Sequence, residues 1–164
     1  MLWTKKWGGT LTDRPYKIVA AQNKILVTGY AVNNVDFDPG DGISSFYSDH
    51  FTSYINALDY DGNFLFASPV IGEGELSAAT IGYGLVVKED AIFSVGQFCN
   101  SANFGTDTAP VSLVADSSNQ FGEKTDGYIA KYSLNALSNA QADKTQTSMY
   151  PNPTSGIVNL RFDR

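Results

Sequence analysis

His50 is the only histidine of the chain, and it stands in the segment Ser48-Asp49-His50-Phe51. A histidine beside a carboxylate has the residue types of a general base. A Ser-His-Asp or Cys-His arrangement could also draw its members from distant parts of a sequence, and Cys99 is the one thiol. No Gly-x-Ser-x-Gly nucleophile motif accompanies them. We therefore interpret His50 as an exposed residue of a polar loop before a strand and Cys99 as a small, partly buried residue or a surface thiol. We expect no catalytic site in this chain.

A second group of polar residues combines carboxylates with glycines. Asp36, Asp38 and Asp41 alternate with other residues and lie near Gly40 and Gly42. Such oxygens could bind Ca²⁺, but the spacing is not that of an EF-hand loop, and no glutamate supplies a bidentate ligand at its far end. The favoured interpretation is the end of a strand followed by an Asp-Pro-Gly turn. We expect no cofactor, with Ca²⁺ at these three aspartates as the alternative.

The composition of the chain indicates the class of secondary structure that positions these candidate residues. The chain has 164 residues and a net charge of −6, and 13 of its 17 acidic residues are aspartate. Asp, Asn, Ser and Gly favour turns, whereas Glu and Lys favour helix interiors. The acidic balance disfavours nucleic-acid binding, which needs a basic face. One cysteine permits no intrachain disulfide, and no apolar run reaches the ~18 residues of a membrane span. We therefore predict a turn-rich all-β protein without a membrane span.

An internal repeat organises residues 1–134. A shift of 67 carries Gly29 onto Gly96, and with it Tyr16 onto Tyr83, Asn34 onto Ser101 and Phe37 onto Phe104. A shift of 63 relates Leu2-Trp3 and Gly9 to Leu65-Phe66 and Gly72, and a shift of 74 relates Tyr54–Leu58 to Tyr128–Tyr132. Shifts that change in steps are expected when insertions fall in loops, the largest near Thr108–Gln120. The repeat predicts two units, at about 1–62 and 63–134.

Each unit is predicted to contain four short antiparallel strands. In the first unit these are Leu2–Trp7, Tyr16–Ala21, Lys24–Tyr30 and Phe51–Tyr60, which are rich in β-branched and aromatic residues. Gln22-Asn23 and Glu89-Asp90 are predicted tight turns. Asp61-Gly62 predicts a type I′ hairpin leading into the strand Asn63–Ala67. Four-stranded sheets that follow one another along a chain are typical of β-propeller blades, of which a closed ring has about 4–8. The alternative is two sheets stacked as an open sandwich.

These segments resemble the SBBP repeat, a bacterial β-propeller repeat of Bacteroidetes surface and secreted proteins. The likeness rests on Trp3–Gly9, Val27-Thr28-Gly29, Val35–Gly40, Ile55–Asp59 and Asp61–Phe66, and it extends over about residues 1–135. The second unit departs from it, because Asn103-Phe104-Gly105-Thr106 replaces the run Asp-Phe-Asp-Pro-Gly. The resemblance implies two blades of a propeller.

The C-terminal part of the chain has a different character. Residues 135–148 are polar and small, which predicts a flexible linker. Tyr150, Pro151, Asn152 and Pro153, with Gly156 and the predicted strand that follows, are similar to the opening of the C-terminal sorting domain of the type IX secretion system. Residues 149–164 would be the first strand of that β-sandwich domain, cut short. The resemblance implies export through the type IX machinery and a secreted, extracellular or outer cell-surface location.

The expected function combines these features. We expect a non-catalytic binding or scaffold protein outside the cell, whose partners are the type IX machinery and an extracellular protein or carbohydrate. Tyr and Trp side chains at the rim of a blade would suit such a ligand. The alternative is the propeller portion of an extracellular hydrolase or lyase whose catalytic module lies outside this chain.

Overall fold

The structure is a computed structural model, and it describes residues 1–73, 78–105, 109–116, 124–135 and 137. The ordered elements are ten β-strands: β1 (Gly8–Gly9), β2 (Arg14–Ala21), β3 (Lys24–Asp36), β4 (Ser45–Asp59), β5 (Phe64–Glu73), β6 (Thr80–Lys88), β7 (Ala91–Cys99), β8 (Ser101–Asn103), β9 (Ser112–Val114) and β10 (Thr125–Ser133). The prediction of an all-β protein is confirmed. In the described part of the chain, no helix has the length and apolar character needed to cross a membrane.

The strands form two antiparallel sheets. In the first, β2, β3, β4 and β5 are consecutive neighbours, and the short strand β1 pairs with the end of β3. The end of β5 pairs with β8, which in turn pairs with β9, so this sheet has seven strands. The second sheet has the order β10-β7-β6. We call these the first and second sheets; both are open among the strands described.

The predicted tight turns are confirmed, with one correction. Gln22 and Asn23 both have positive φ, 50° and 58°, as the type I′ turn between β2 and β3 requires. The hairpin at Asp61-Gly62 joins β4 to β5, and Gly62 has a φ of 82°. Asp61 is not among the positive-φ residues, so the predicted type I′ geometry is wrong there. The turn is instead closed by Gly62 N donating to Asp59 O, with the Asp59 carboxylate accepting from the Asp61 and Asn63 amides.

The strand register of the two sheets follows the shift of 67 that the sequence repeat predicts. Pro15 lies opposite Gly29 in the first sheet, and Gly82 lies opposite Gly96 in the second, so both members of the pair move by 67 positions. Tyr16 and Tyr83 are each the extra residue of a β-bulge next to that pair. A bulge is an extra residue in one strand of a pair, and strand propensity alone does not fix where it occurs. Its recurrence shows that the two sheets repeat one backbone design.

The strand pairs also follow the other two shifts. Gly9 lies opposite Val35 as Gly72 lies opposite Ala102, which reproduces the shift of 63 near the start of each repeat unit. Gly29 lies opposite Tyr54 as Gly96 lies opposite Tyr128, which reproduces the shift of 74.

The largest insertion between the two units was predicted near Thr108–Gln120, and the strand pairing places it after Val114. The shift is still 67 at Val114, because Asn34 pairs with Tyr47 as Ser101 pairs with Val114. It is 74 at Asp126, because Ala31 pairs with Thr52 as Phe98 pairs with Asp126. The seven added residues therefore fall between Val114 and Asp126, after β9 and not before it.

Strand β5 connects the two sheets. Its first half pairs with β4, and its last three residues pair with β8. Residues 2–7 are the repeat equivalent of that first half, but they form no strand, so the predicted strand Leu2–Trp7 is wrong. A strand needs a hydrogen-bonding neighbour, and the structure gives residues 2–7 no equivalent of β4 to pair with. β5 has that neighbour because it follows β4 directly through a hairpin.

The main core lies between the two sheets. Its fully buried members from the first sheet include Leu26 and Ile55, and those from the second include Leu85 and Ile92. Two further clusters are repeat equivalents of one another. In one, Phe37 packs on Tyr54 with ring centroids 5.0 Å apart, and in the other Phe104 packs on Tyr128 at 4.6 Å. These four aromatic residues are thus packing residues.

Candidate functional site

Asp36 holds a loop closed between β3 and β4. Its Oδ1 accepts hydrogen bonds from the amides of Asp38, at 3.0 Å, and Ser44, at 2.9 Å. The Asp38 Oδ1 in turn accepts from the amide of Gly40 at 2.7 Å. Backbone amides at a turn need acceptors, and a short side chain two residues earlier is well placed to supply one. The carboxylates therefore organise the loop backbone.

The second repeat unit contains an equivalent loop with a neutral side chain. Asn103, the equivalent of Asp36, accepts from the amides of Gly105 at 2.9 Å and Val111 at 3.0 Å, again two and eight positions ahead. Phe37 N donates to Ser44 O as Phe104 N donates to Val111 O. The neutral amide oxygen of Asn103 accepts the same pair of hydrogen bonds as the Asp36 carboxylate. This loop geometry therefore requires a hydrogen-bond acceptor and not a negative charge.

This geometry bears on the predicted Ca²⁺ ligands Asp36, Asp38 and Asp41. The carboxylates of Asp36 and Asp38 accept hydrogen bonds from backbone amides of their own loop, and Asp41 is exposed. Within the part of the chain that the structure describes, no group of three or more His, Cys, Asp or Glu side chains is arranged to hold a metal ion. Ca²⁺ binding at these aspartates stays a prediction, tested below.

His50 is not in a loop, contrary to the sequence interpretation. It lies within β4, where Asp49, His50 and Phe51 bulge out of the ladder opposite Val32. A bulge re-aims side chains that regular pairing would place alternately on the two faces. The His50 Nε2 lies 3.6 Å from the Asp49 Oδ1, and the side chain of His50 is 26% exposed. Sequence reasoning missed this position because polar residues in a bulged strand have the composition of a loop.

The bulge forms one wall of a cleft between the two sheets. The cleft has a volume of about 410 Å³. Its wall from the first sheet contains Val32, Asp49, His50 and Phe51, and its opposite wall contains Ala79, Ile81, Gln97 and Cys99. The two side chains singled out for nucleophilic chemistry, His50 and Cys99, thus share one cleft. The Cys99 Sγ lies 3.4 Å from the Thr125 Oγ1, and no hydrogen bond or ion pair is found between Cys99 and His50.

A row of aromatic rings leads from this cleft across the junction of the sheets. Neighbouring centroids are 4.6 Å apart for Phe51 and Tyr30, 6.0 Å for Tyr30 and Tyr16, and 5.4 Å for Tyr16 and Tyr83. The guanidinium of Arg14 lies 5.9 Å from the Tyr30 centroid. Three of the four rings are substantially exposed, and only Tyr30 is buried. Exposed, rigid rings with polar edges are suited to contact with a sugar or a protein side chain. We call these four residues the aromatic row.

Buried polar groups below the row tie the sheets together. Thr80 Oγ1 accepts from the Ser53 amide at 2.7 Å and donates to Val70 O at 2.7 Å. The Ser53 hydroxyl lies 3.1 Å from the Tyr128 hydroxyl. Buried polar groups are costly without partners, so this network favours one relative placement of the sheets. Thr80, Ser53 and Tyr128 thus support the cleft and the aromatic row.

Burial raises the pKa of Tyr83 in the aromatic row and, more strongly, the pKa of two tyrosines outside the row. Desolvation raises the pKa of Tyr54 to about 12. The same cause, burial, raises the pKa of Tyr132 above its ordinary range. Neither side chain lines the cleft, so these shifts concern stability.

The predicted sorting residues Tyr150, Pro151, Asn152, Pro153 and Gly156 lie outside the described residues, as does nearly all of the predicted linker. Comparison with known proteins finds no matching family model, no matching curated protein and no matching solved structure.

Proposed function

We propose that this chain is a module of a secreted or cell-surface β-propeller with a non-catalytic binding or scaffold role. The observation that carries the proposal is the recurrence of one sheet design twice along the chain, with the two copies packed face to face. The bulges at Tyr16 and Tyr83 and the loops of Asp36 and Asn103 recur at a constant shift of 67. Consecutive, equivalent sheets that pack face to face are the arrangement on which propellers are built.

The binding role rests on the aromatic row and the adjoining cleft. The row spans both sheets, so its shape depends on their packing and would be presented as a rigid surface. The ligand class is an extracellular carbohydrate or protein, since both offer apolar faces with polar groups around them.

A structure of the intact gene product tests the architecture. We expect the two sheets described here to be neighbours in a ring of about four to eight sheets. Two sheets standing as an isolated sandwich would contradict the proposal. A catalytic domain upstream in the same reading frame would instead support the alternative, an extracellular hydrolase or lyase with a propeller portion.

Export through the type IX system is the second part of the proposal, and it rests on the sequence motif Tyr150–Pro153 with Gly156. The test is a periplasmic reporter fused to residues 135 onward with the native downstream sequence, expressed in cells with the type IX machinery. We expect the reporter outside the cell. The matched control carries Pro151→Ala and Pro153→Ala, which remove the rigid turn but keep the length. Retention of the unaltered fusion in the periplasm would refute the assignment.

A further inference from the structure

The second sheet has an apolar face that nothing in the described structure covers. It consists of Val86, Phe93, Val95 and Ile129, which we call the outer face. Val86 lies opposite Phe93, and Val95 lies opposite Ile129, so the four side chains are neighbours on adjacent strands. Ile129 is 79% exposed, and the ammonium of Lys131 lies over the Phe93 ring at 5.8 Å from its centroid. A contiguous apolar patch of this kind indicates an interaction surface.

The repeat identifies what this face is equivalent to. Phe93 corresponds to Leu26 by the shift of 67, and Ile129 corresponds to Ile55 by the shift of 74. Leu26 and Ile55 are 0% and 2% exposed, because they belong to the core between the two sheets. The outer face of the second sheet is therefore the counterpart of the face that the first sheet buries against its neighbour.

The complementary surface is present on the same chain. Leu85 on the second sheet contributes to the core between the sheets and is 3% exposed. Its equivalent on the first sheet is Ile18, at the same shift of 67, and Ile18 is 64% exposed. The chain thus carries one occupied interface, and it carries both halves of a second interface of the same design, each of them uncovered.

The strand edges show the same relation. β5 pairs with β4, and Ser68 lies opposite Ile55 in that pair. Residues 2–7 are equivalent to the first half of β5 and are unpaired, whereas β10 is equivalent to β4 and pairs only with β7 among the described strands. An unpaired segment of strand-like sequence and an exposed strand edge are the two components of β-strand addition.

We propose that a second copy of this chain docks on the outer face head to tail, with its Ile18 side covering Ile129 and its residues 2–7 adding a strand to β10. This inference rests on the proposed function, since it uses the same face-to-face packing of sheets. The register follows from the repeat: Lys5 of one copy lies opposite Ile129 of the next, as Ser68 lies opposite Ile55 within the chain. A head-to-tail interface closes into a ring when its rotation permits, and two to four copies would supply the four to eight sheets of a propeller.

The first test is the molar mass of the purified chain at rising concentration, measured by light scattering after size exclusion and by sedimentation. We expect association, and we expect Ile129→Glu to weaken it by at least about tenfold, because it places a charge in an apolar contact. Ile43→Glu is the matched control, since Ile43 is 83% exposed in a loop outside the proposed interface. A chain that is monomeric up to its solubility limit would overturn the proposal, as would equal effects of the two variants.

The second test fixes the register in a Cys99→Ser background. Lys5→Cys and Ile129→Cys are purified separately, mixed and oxidised. We expect a heterodimeric disulfide in excess of that formed when Ile43→Cys replaces Ile129→Cys. Equal yields would overturn the proposed strand addition. The docking tests and the reporter assay for export are independent measurements. A negative result in the mass or cross-linking experiment would therefore reject the docking without rejecting export.

Discussion

Tyr16 and Tyr83 are repeat equivalents 67 positions apart, and their rings contact each other with centroids 5.4 Å apart. Each residue is the extra residue of a β-bulge, so the two equivalent irregularities meet at the junction of the sheets. The turns of the same strands also meet, since the Gln22 amide donates to the carbonyl of Glu89, which is again 67 positions away. These contacts between equivalent residues show that the two face-to-face sheets bring their equivalent bulges and turns together. This relationship underlies the predictions that follow.

Gly96 is expected to tolerate no side chain. A Cβ there would overlap the Ile81 carbonyl oxygen and lie 2.7 Å from the Tyr128 ring. We expect Gly96→Ala to lower the free energy of unfolding by about 1–3 kcal/mol, the usual cost of overpacking. Gly127→Ala is the control, because the nearest atom to its Cβ is 3.7 Å away. Urea denaturation of the two variants measures the difference, and a Gly96→Ala protein as stable as the control would contradict the close approach.

Asp36 is expected to act as a hydrogen-bond acceptor whose charge is dispensable. Asp36→Asn should change the free energy of unfolding little, because Asn103 makes the equivalent bonds in the second repeat unit. Asp36→Ala should cost about 1–3 kcal/mol, since it leaves two loop amides without their acceptor. Chemical denaturation at neutral pH distinguishes the two variants. Equal losses in Asp36→Asn and Asp36→Ala would show that the charge itself is needed.

Calcium is expected to leave the protein's stability unchanged. The carboxylates of Asp36 and Asp38 already accept backbone hydrogen bonds, and a ligand that binds the native state must raise the melting temperature. We expect equal melting temperatures in EDTA and in excess Ca²⁺. A melting temperature that rises with Ca²⁺ and falls back in the Asp38→Ala variant would instead establish the Asp36–Asp41 site.

Stability is expected to fall at alkaline pH because of buried tyrosine. Burial raises the pKa of Tyr54 to about 12 in the folded protein, from its ordinary value of 10.0. The folded state therefore keeps a proton that the unfolded state releases, and stability decreases as pH rises from about 10 to about 12. Tyr132 acts in the same direction through its own burial. Unfolding monitored by fluorescence across this range tests the expectation.

Tyr54→Phe provides the specific check on that pH dependence. This variant should reduce the loss of stability between pH about 10 and 12, because the group that releases the proton is absent. Tyr47→Phe is the control, since Tyr47 is 66% exposed. If Tyr47→Phe reduces the pH dependence as much as Tyr54→Phe does, burial of Tyr54 is not its cause.

The candidate site was only partly predictable from the sequence. The aspartate loop was recognisable because its hydrogen bonds are local, joining residues no more than eight positions apart, from Asp36 to Ser44. The cleft and the aromatic row were not, because Phe51 and Cys99 are brought near one another by packing between sheets. The bulge at His50 also has no local signal, since its polar residues fit a loop equally well.

The sequence by itself determined the all-β class, the turns and the repeat, because strand propensity, turn chemistry and self-similarity are local properties of the chain. It even related Phe37 to Phe104 and Tyr54 to Tyr128, which the structure places in equivalent aromatic pairs. Only the tertiary structure decided which segments with strand-like sequence become strands and which apolar faces are covered. Residues 2–7 and β5 have related sequences, but only β5 forms a strand, because only β5 has a neighbouring strand with which to form hydrogen bonds. Ile55 and Ile129 differ in the same way, since burial depends on the sheet that packs against them.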